Sequence, residues 1–401
     1  MKKHYFIPQA ALRFFAFSLL FFGISGSFSA AGAGPAVVGA KPAVVGAERA
    51  VAGAERAVAG AEQAAAPHTF LPNNPAIQYV GRIDFSNPLK PRFWASGVYI
   101  VFSYSGDSCV VDIDDEVIYG TVHNYLEIQI DQQPAYRLQL HGKSNKITLG
   151  KGLRGAQHRV LICKNTEAEN GYLELAGISC DQLLSPPALP KRKIEFIGDS
   201  ITCGFGADES VLKCGAKGAQ WYDQHSAWLA YGPETARRLN AQYHLSAVSG
   251  IGLIHSCCDK KIVMPQVYDK ISMVRNEHLW DFSSYQPDVV SICLGQNDGV
   301  QDSAAFCSAY VAFAKRLRGY YPKARLVFLS SPMADSTLKA ALTTYIRAVK
   351  DQLAKEGENH TGAYFFSRRS TSGCSSHPSQ AEHQQIADEL TAYLRTTMQW
   401  D

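Results

Sequence analysis

The pattern of hydrophobic and polar positions divides this chain into stretches of different character. Residues Phe14 to Phe22 are almost all apolar, with Lys2, Lys3 and Arg13 before them and small residues after them through Ala33. A basic start, a short apolar run and a small-residue exit form a secretory signal peptide, too short for a secure membrane span. Ser29-Ala30-Ala31 and Ala31-Gly32-Ala33 are candidate cleavage sites, which assigns residues 1–31 to the leader; an uncleaved anchor is the alternative. Residues 32–69 form a linker in which a seven-residue unit recurs, from Ala36–Pro42 to Ala57–Gln63. Each copy carries a glycine, which costs a helix about 1 kcal/mol against alanine, so a flexible tether is expected over a coiled coil. A marginal surface helix is the alternative.

From Phe70 the period falls to two. The runs Gly97–Tyr104, Cys109–Ile113, Tyr125–Ile130, Tyr136–Leu140, His158–Cys163 and Tyr172–Leu175 mostly alternate apolar and polar residues between polar turns. Many short strands at such spacing predict an all-β sandwich or barrel over residues 70–184. Ser185-Pro186-Pro187-Ala188-Leu189-Pro190 then breaks the pattern as an extended connector.

Over residues 191–401 strands and helices alternate. Near-continuous apolar strands are expected at 193–197, 243–249, 288–294, 324–330 and 363–367, and helices at about 224–240, 303–320, 336–356 and 379–397. Ser303 and Ser336 suit helix N-caps and Pro322 a helix stop. The alternation predicts an α/β unit, a doubly wound parallel sheet covered on both faces.

The 401 residues agree with two domains plus extensions. A net charge of +3 without a long Lys/Arg run gives no nucleic-acid footprint, and no membrane contact is expected after leader cleavage. Export to an oxidising compartment, secreted or periplasmic, makes disulfides available to the ten cysteines. Their spacing shows no paired C-x-x-C, so no zinc ribbon is expected. Cys203 and Cys214 flank a polar loop that they could close, Cys293 reads as a buried thiol, and the connectivity stays open.

Chemistry in such a sheet collects at the carboxyl ends of the strands. The first expected strand ends at Gly198-Asp199-Ser200, the second at Ser249-Gly250-Ile251-Gly252 and the third at Gly295-Gln296-Asn297-Asp298, while Gly373–Pro378 precedes the last helix. Ser200 is the candidate nucleophile and His377 the candidate base, because a hydroxyl needs a group near neutral pKa to take its proton. The N–H groups of Ser200 and Gly250 and the amide of Asn297 are candidate oxyanion donors, with Gly252 an alternative to Gly250. Asp199 is assigned to stabilising the turn. His255–Asp259 has irregular spacing and reads as structural or disulfide-bonded, so neither metal nor cofactor is expected. Trp221, Trp228, Trp280 and Tyr285 are candidate substrate-binding aromatics at the site rim, or else core residues.

These blocks, in this order, resemble those of the SGNH (GDSL) hydrolases. The stretches Ile197–Gly206, Trp228–Gly232, Ser249–Leu253, Tyr285–Val290 and Cys374–Ser379 extend the resemblance to carbohydrate esterase family 2, over about residues 75–398. The resemblance implies a flavodoxin-like α/β/α SGNH domain preceded by a jelly-roll sandwich that packs against it and walls one side of the cleft, an independent sugar-binding module being the alternative. It implies a secreted serine esterase that removes O-acetyl groups from a polysaccharide or glycan through an acyl-enzyme. Three positions depart from the family pattern. Gln296 replaces a common threonine, Ser376 replaces a tryptophan often found before the histidine, and Cys374 stands where an aspartate three residues before the histidine is frequent. The expectation is therefore a Ser200–His377 dyad whose ring is oriented by a backbone carbonyl. A lipase-like or peptidoglycan O-acetyl esterase, or a carbohydrate-binding protein with a decayed site, are the competing readings. A monomer is favoured.

Overall fold

The computed structural model of the protein describes residues 68–153 and 155–401. The expected leader and almost all of the repeat linker lie outside the described residues. Two antiparallel sheets come first. One has the order 68–70, 173–180, 109–115, 144–149, with 92–93 also on 173–180. The other has the order 182–183, 99–105, 157–164, 125–130, 136–139, with 78–80 also on 99–105. Alternation puts Val111, Ile113, Phe102, Ile128, Val160 and Leu175 into one core between the sheets, as two packed antiparallel layers require. The strand Ser144–Leu149 was not expected; only its Ile147 and Leu149 are buried, so its apolar signal is thin.

The second half is a five-stranded parallel sheet. Its strands are β1 (Arg192–Gly198), β2 (Ala241–Ala247), β3 (Val289–Cys293), β4 (Arg325–Leu329) and β5 (Thr361–Tyr364), in the order β2-β1-β3-β4-β5. All of β2 and β3 is buried, because helices cover both faces. These are α2 (Tyr231–Arg238), α3 (Ser303–Tyr320), α4 (Ser336–Lys355) and α5 (Gln380–Met398), with a single turn, α1 (Ser200–Cys203), directly after β1. This is the flavodoxin-like doubly wound order, in which the crevice between β1 and β3 is the topological switch point.

Several local expectations are corrected. The caps of α3 and α4 are Asp302 and Asp335, whose carboxylates accept from Ala305 N and Leu338 N, both at 2.9 Å. The serines expected there, Ser303 and Ser336, are the first helical residues. The helix expected from 224 begins at Tyr231, because Ser226 N–H donates to Gly204 O and Ala227 N–H to Asn165 O instead of continuing a helical ladder. Cys214 bonds to Cys374, not Cys203; Cys203 is a buried free thiol, as is Cys293.

The sandwich and the α/β unit share buried polar contacts. Arg82 of the sandwich reaches Glu195 of β1 at 3.1 Å, with both side chains fully buried. The Arg82 guanidinium also donates to Lys270 O at 2.8 Å and to Tyr268 O. At the other end of the sheet, Arg137 Nη1 meets Asp208 at 2.7 Å.

Candidate active site

β1 runs straight into the site. Gly198 is its last residue, and a Cβ there would lie 2.0 Å from Thr202 Oγ1 and 3.1 Å from Cys293 O, so only glycine lets α1 fold back on the strand end. Asp199 caps that turn: its Oδ1 accepts from Ile201 N at 3.0 Å. Its other oxygen accepts from Asn297 Nδ2 at 3.0 Å. The carboxyl is fully buried with no cation against it, and desolvation pushes it up to about 7. Asp199 therefore ties the Ser200 turn to the loop after β3.

Ser200 Oγ lies 2.8 Å from His377 Nε2, and His377 Nδ1 lies 3.0 Å from Ser375 O. With the Nδ1–H donating to that carbonyl, Nε2 is left free to accept the serine proton. Burial holds the imidazole below its ordinary value, partly opposed by the Ser375 carbonyl. Phe205 packs against two imidazoles, tilted to both, with ring centroids 4.4 Å from His377 and 4.2 Å from His225. His225 is fully buried and held well below its ordinary value by desolvation, so it is a neutral neighbour.

Among the described residues, no acceptor is hydrogen-bonded to the N–H of Ser200 or of Gly250. Asn297 differs: its Nδ2 donates to Asp199 and, at 2.9 Å, to Ile251 O, so both amide hydrogens are engaged. The Gly252 N–H is engaged as well, on Ser256 Oγ at 3.0 Å. A Cβ on Gly252 would lie 2.6 Å from Asp298 Oδ2. Asp298 gathers the loop after β2 by accepting from Leu253, Ile254 and His255 N–H at 2.9, 2.7 and 2.9 Å.

These groups open onto one cleft of about 350 Å³, lined by Ser200, Gly250, Asn297 and His377 together with Phe205, Trp221, Glu169, Lys260 and the Cys257–Cys258 disulfide. Of the aromatic candidates, Trp221 alone is on this cleft, 46% exposed. The other three lie elsewhere. Trp228 is buried, with the Arg237 guanidinium 4.0 Å above its ring. Tyr285 is buried and stacked on His244 at 3.4 Å, and Trp280 packs edge-on to the same histidine at 5.9 Å. Residue type alone made them candidates, and the sequence does not show where in the fold each one packs.

Sequence reasoning missed several of the lining groups. Glu169 comes from the sandwich, in a turn at Ala168–Asn170, and pairs with Lys260 across the cleft wall. That turn is inserted deeply. Asn165 Oδ1 accepts from Trp228 N at 3.0 Å and Ser226 Oγ at 3.3 Å. The fully buried Lys164 donates to Thr166 O and Glu167 O, both at 2.8 Å. Desolvation brings that lysine down to about 7 and the adjacent Glu167 up to about 8. No local signal identifies residues 164–170 as part of a site built some 35 positions later. Phe205 was visible only as part of a Gly-rich run.

Residues 79–187 match the family described as carbohydrate esterase 2 N-terminal, and residues 196–387 match the GDSL-like lipase/acylhydrolase family. The chain is 28% identical over 347 residues to an acetylxylan esterase/glucomannan deacetylase of Cellvibrio japonicus, covering 84% of this chain and 93% of that protein. It is 30% identical over 340 residues to the cellulase/esterase CelE of Acetivibrio thermocellus, covering 82% of this chain but 40% of that longer protein. Among solved structures, a family two carbohydrate esterase from Clostridium thermocellum in complex with cellohexaose superposes with a TM-score of 0.74. It is 29% identical, and the match covers 81% of this chain and 100% of that one.

Proposed function

This chain belongs to carbohydrate esterase family 2 and is a carboxylic ester hydrolase acting on carbohydrates, and from that premise we propose that it removes O-acetyl groups from a polysaccharide after export from the cell. The observation that carries this reading is the 2.8 Å contact of Ser200 Oγ with His377 Nε2, on a ring whose Nδ1 faces the Ser375 carbonyl. In the proposed reaction Ser200 attacks the acetyl carbonyl while His377 takes its proton. The unengaged N–H groups of Ser200 and Gly250 receive the developing oxyanion. Asn297 joins them by exchanging its hydrogen bond to Asp199 or to Ile251 O for one to that oxygen. His377 then protonates the departing sugar oxygen, and the acyl-serine is released as acetate when His377 activates a water. Trp221 on the rim offers an aromatic face for a pyranose ring.

The Cellvibrio relative, named as an acetylxylan esterase/glucomannan deacetylase, supports acetyl as the acyl group. The test is hydrolysis of p-nitrophenyl acetate against butyrate and octanoate, followed by acetate release from acetylated xylan and glucomannan, with Ser200→Ala as control. Acetyl-selective turnover lost in Ser200→Ala is the expected result. A preference for octanoate would move the reading to a lipase-like enzyme, and turnover equal in Ser200→Ala would remove Ser200 as the nucleophile. Whether the leader exports the protein is read by N-terminal sequencing of the culture medium or periplasm, with cleavage expected after Ala31 or Ala33.

A further inference from the structure

The position three residues before His377, where related enzymes often carry an acid, holds half of a disulfide. Cys374 is bonded to Cys214, 160 residues away in sequence, with Cα atoms 5.3 Å apart. Next to it, Ser375 and Ser376 take φ of 52° and 58°, a left-handed conformation that a non-glycine residue holds only where its surroundings impose it. Both serine side chains are exposed, and among the described residues neither hydroxyl has a hydrogen-bond partner. Yet the carbonyl facing His377 Nδ1 belongs to Ser375.

What holds this turn lies at its two ends. On the far side, Ser379 and Glu382 cap α5 reciprocally. On the near side, Cys374 N–H donates to Gly206 O at 3.2 Å, and its carbonyl accepts from His377 N–H at 3.1 Å. A Cβ on Gly206 would meet Cys374 O at 2.5 Å, so the two segments are in close contact. The other sulfur sits on a braced loop: Cys214 N–H donates to Glu209 at 2.9 Å, and Asp208 is held by Arg137 of the sandwich at 2.7 Å with both side chains almost fully buried.

We propose that the Cys214–Cys374 disulfide is the positioning device for His377: it imposes the left-handed turn that aims the Ser375 carbonyl at Nδ1, the task a triad carboxylate performs elsewhere. The inference rests on the Ser200–His377 reading. It makes catalysis redox-sensitive, because Cys214 is exposed and open to an attacking thiolate. With a dithiol reductant the S–S bond breaks, two thiols form, and the reductant loses two electrons and closes to its cyclic disulfide.

The experiment uses the full-length wild-type protein, in which alkylation with mass mapping scores the Cys214–Cys374 and Cys257–Cys258 bridges separately. Its oxidised form is first shown to hydrolyse p-nitrophenyl acetate in a Ser200-dependent manner; without that, the esterase reading fails and this inference falls with it. Dithiothreitol is then added, and alkylation with mass mapping scores the release of Cys214 and Cys374. We expect kcat to fall about 10- to 100-fold, as for a slightly misplaced catalytic group, with KM changed less than about twofold. A melting transition above the assay temperature and recovery of kcat on reoxidation should accompany that loss. Cys374→Ser should reproduce the reduced values. Graded reduction separates the loss of Cys214–Cys374 from that of Cys257–Cys258, because each bridge is scored on its own. Freed thiols with kcat within about threefold, or a loss confined to KM, would overturn the proposal.

Discussion

Replacing Arg82 by methionine should destabilise the protein far more than its single ion pair suggests. Arg82 and Glu195 are both fully buried, and Glu195 Oε1 takes its donors from Arg82 and Ser246. Removing the guanidinium leaves a carboxylate in the interior with one hydroxyl donor, and the carbonyls of Tyr268 and Lys270 lose theirs. Breaking a buried pair from one side costs about 3–5 kcal/mol. Unfolding entropy of ~2.1 cal/mol/K per residue, over the roughly 330 described residues, is about 0.7 kcal/mol/K, so Tm should fall by about 4–7 °C. Because that penalty comes from the stranded charge, Arg82→Met/Glu195→Met should recover most of the loss, apolar replacements of a whole pair being close to neutral. Scanning calorimetry on the wild type and both variants decides the matter. A single variant within about 1 kcal/mol of wild type, or a double variant no more stable than the single, would refute the reasoning.

Three further outcomes are expected. Phe205→Ala removes the ring packed against His377 and His225 and should lower kcat about tenfold through a less fixed base, with KM for p-nitrophenyl acetate nearly unchanged; steady-state kinetics reads it. His377 is held below its ordinary value by burial, so the neutral, active base persists to lower pH, and the acid limb of kcat/KM should have its midpoint below about 6.5; a midpoint above that value would contradict the assignment of His377 as the base. Asn297→Ala should cut kcat about 100-fold if the amide reaches the oxyanion, whereas a loss in Tm with kcat retained would assign it only to the Asp199 and Ile251 contacts.

The parallel sheet was legible because its strands are short, apolar and separated by helical periodicity, and each block with Gly, Ser or Asn lies directly after a strand, in line of the chain. What stayed hidden depends on distance in sequence. Nothing local distinguishes Cys214–Cys374 from the nearer Cys203–Cys214. At 302–303 and 335–336, aspartate and serine are adjacent and both suit a cap, and the carboxylate takes the role in each. An aromatic residue in an amphipathic pattern does not announce which end of the sheet it faces: Trp221 reaches the cleft, while Tyr285 closes over His244 at the other end. The engagement of both Asn297 amide hydrogens is a three-dimensional fact with no sequence signature.

The inserted turn at residues 164–170 limits how this protein can be recombined. A gene fusion that took only the α/β half would strand the backbone donors of Ala227 and Trp228, which Asn165 now accepts, and would remove Glu169 from the cleft. The two halves therefore have to be kept together for the cleft to stay whole. Because Asn165 accepts from the backbone N–H groups of Ala227 and Trp228, shuffling the halves of distant homologues should keep an asparagine at 165, whatever side chains stand at 227 and 228.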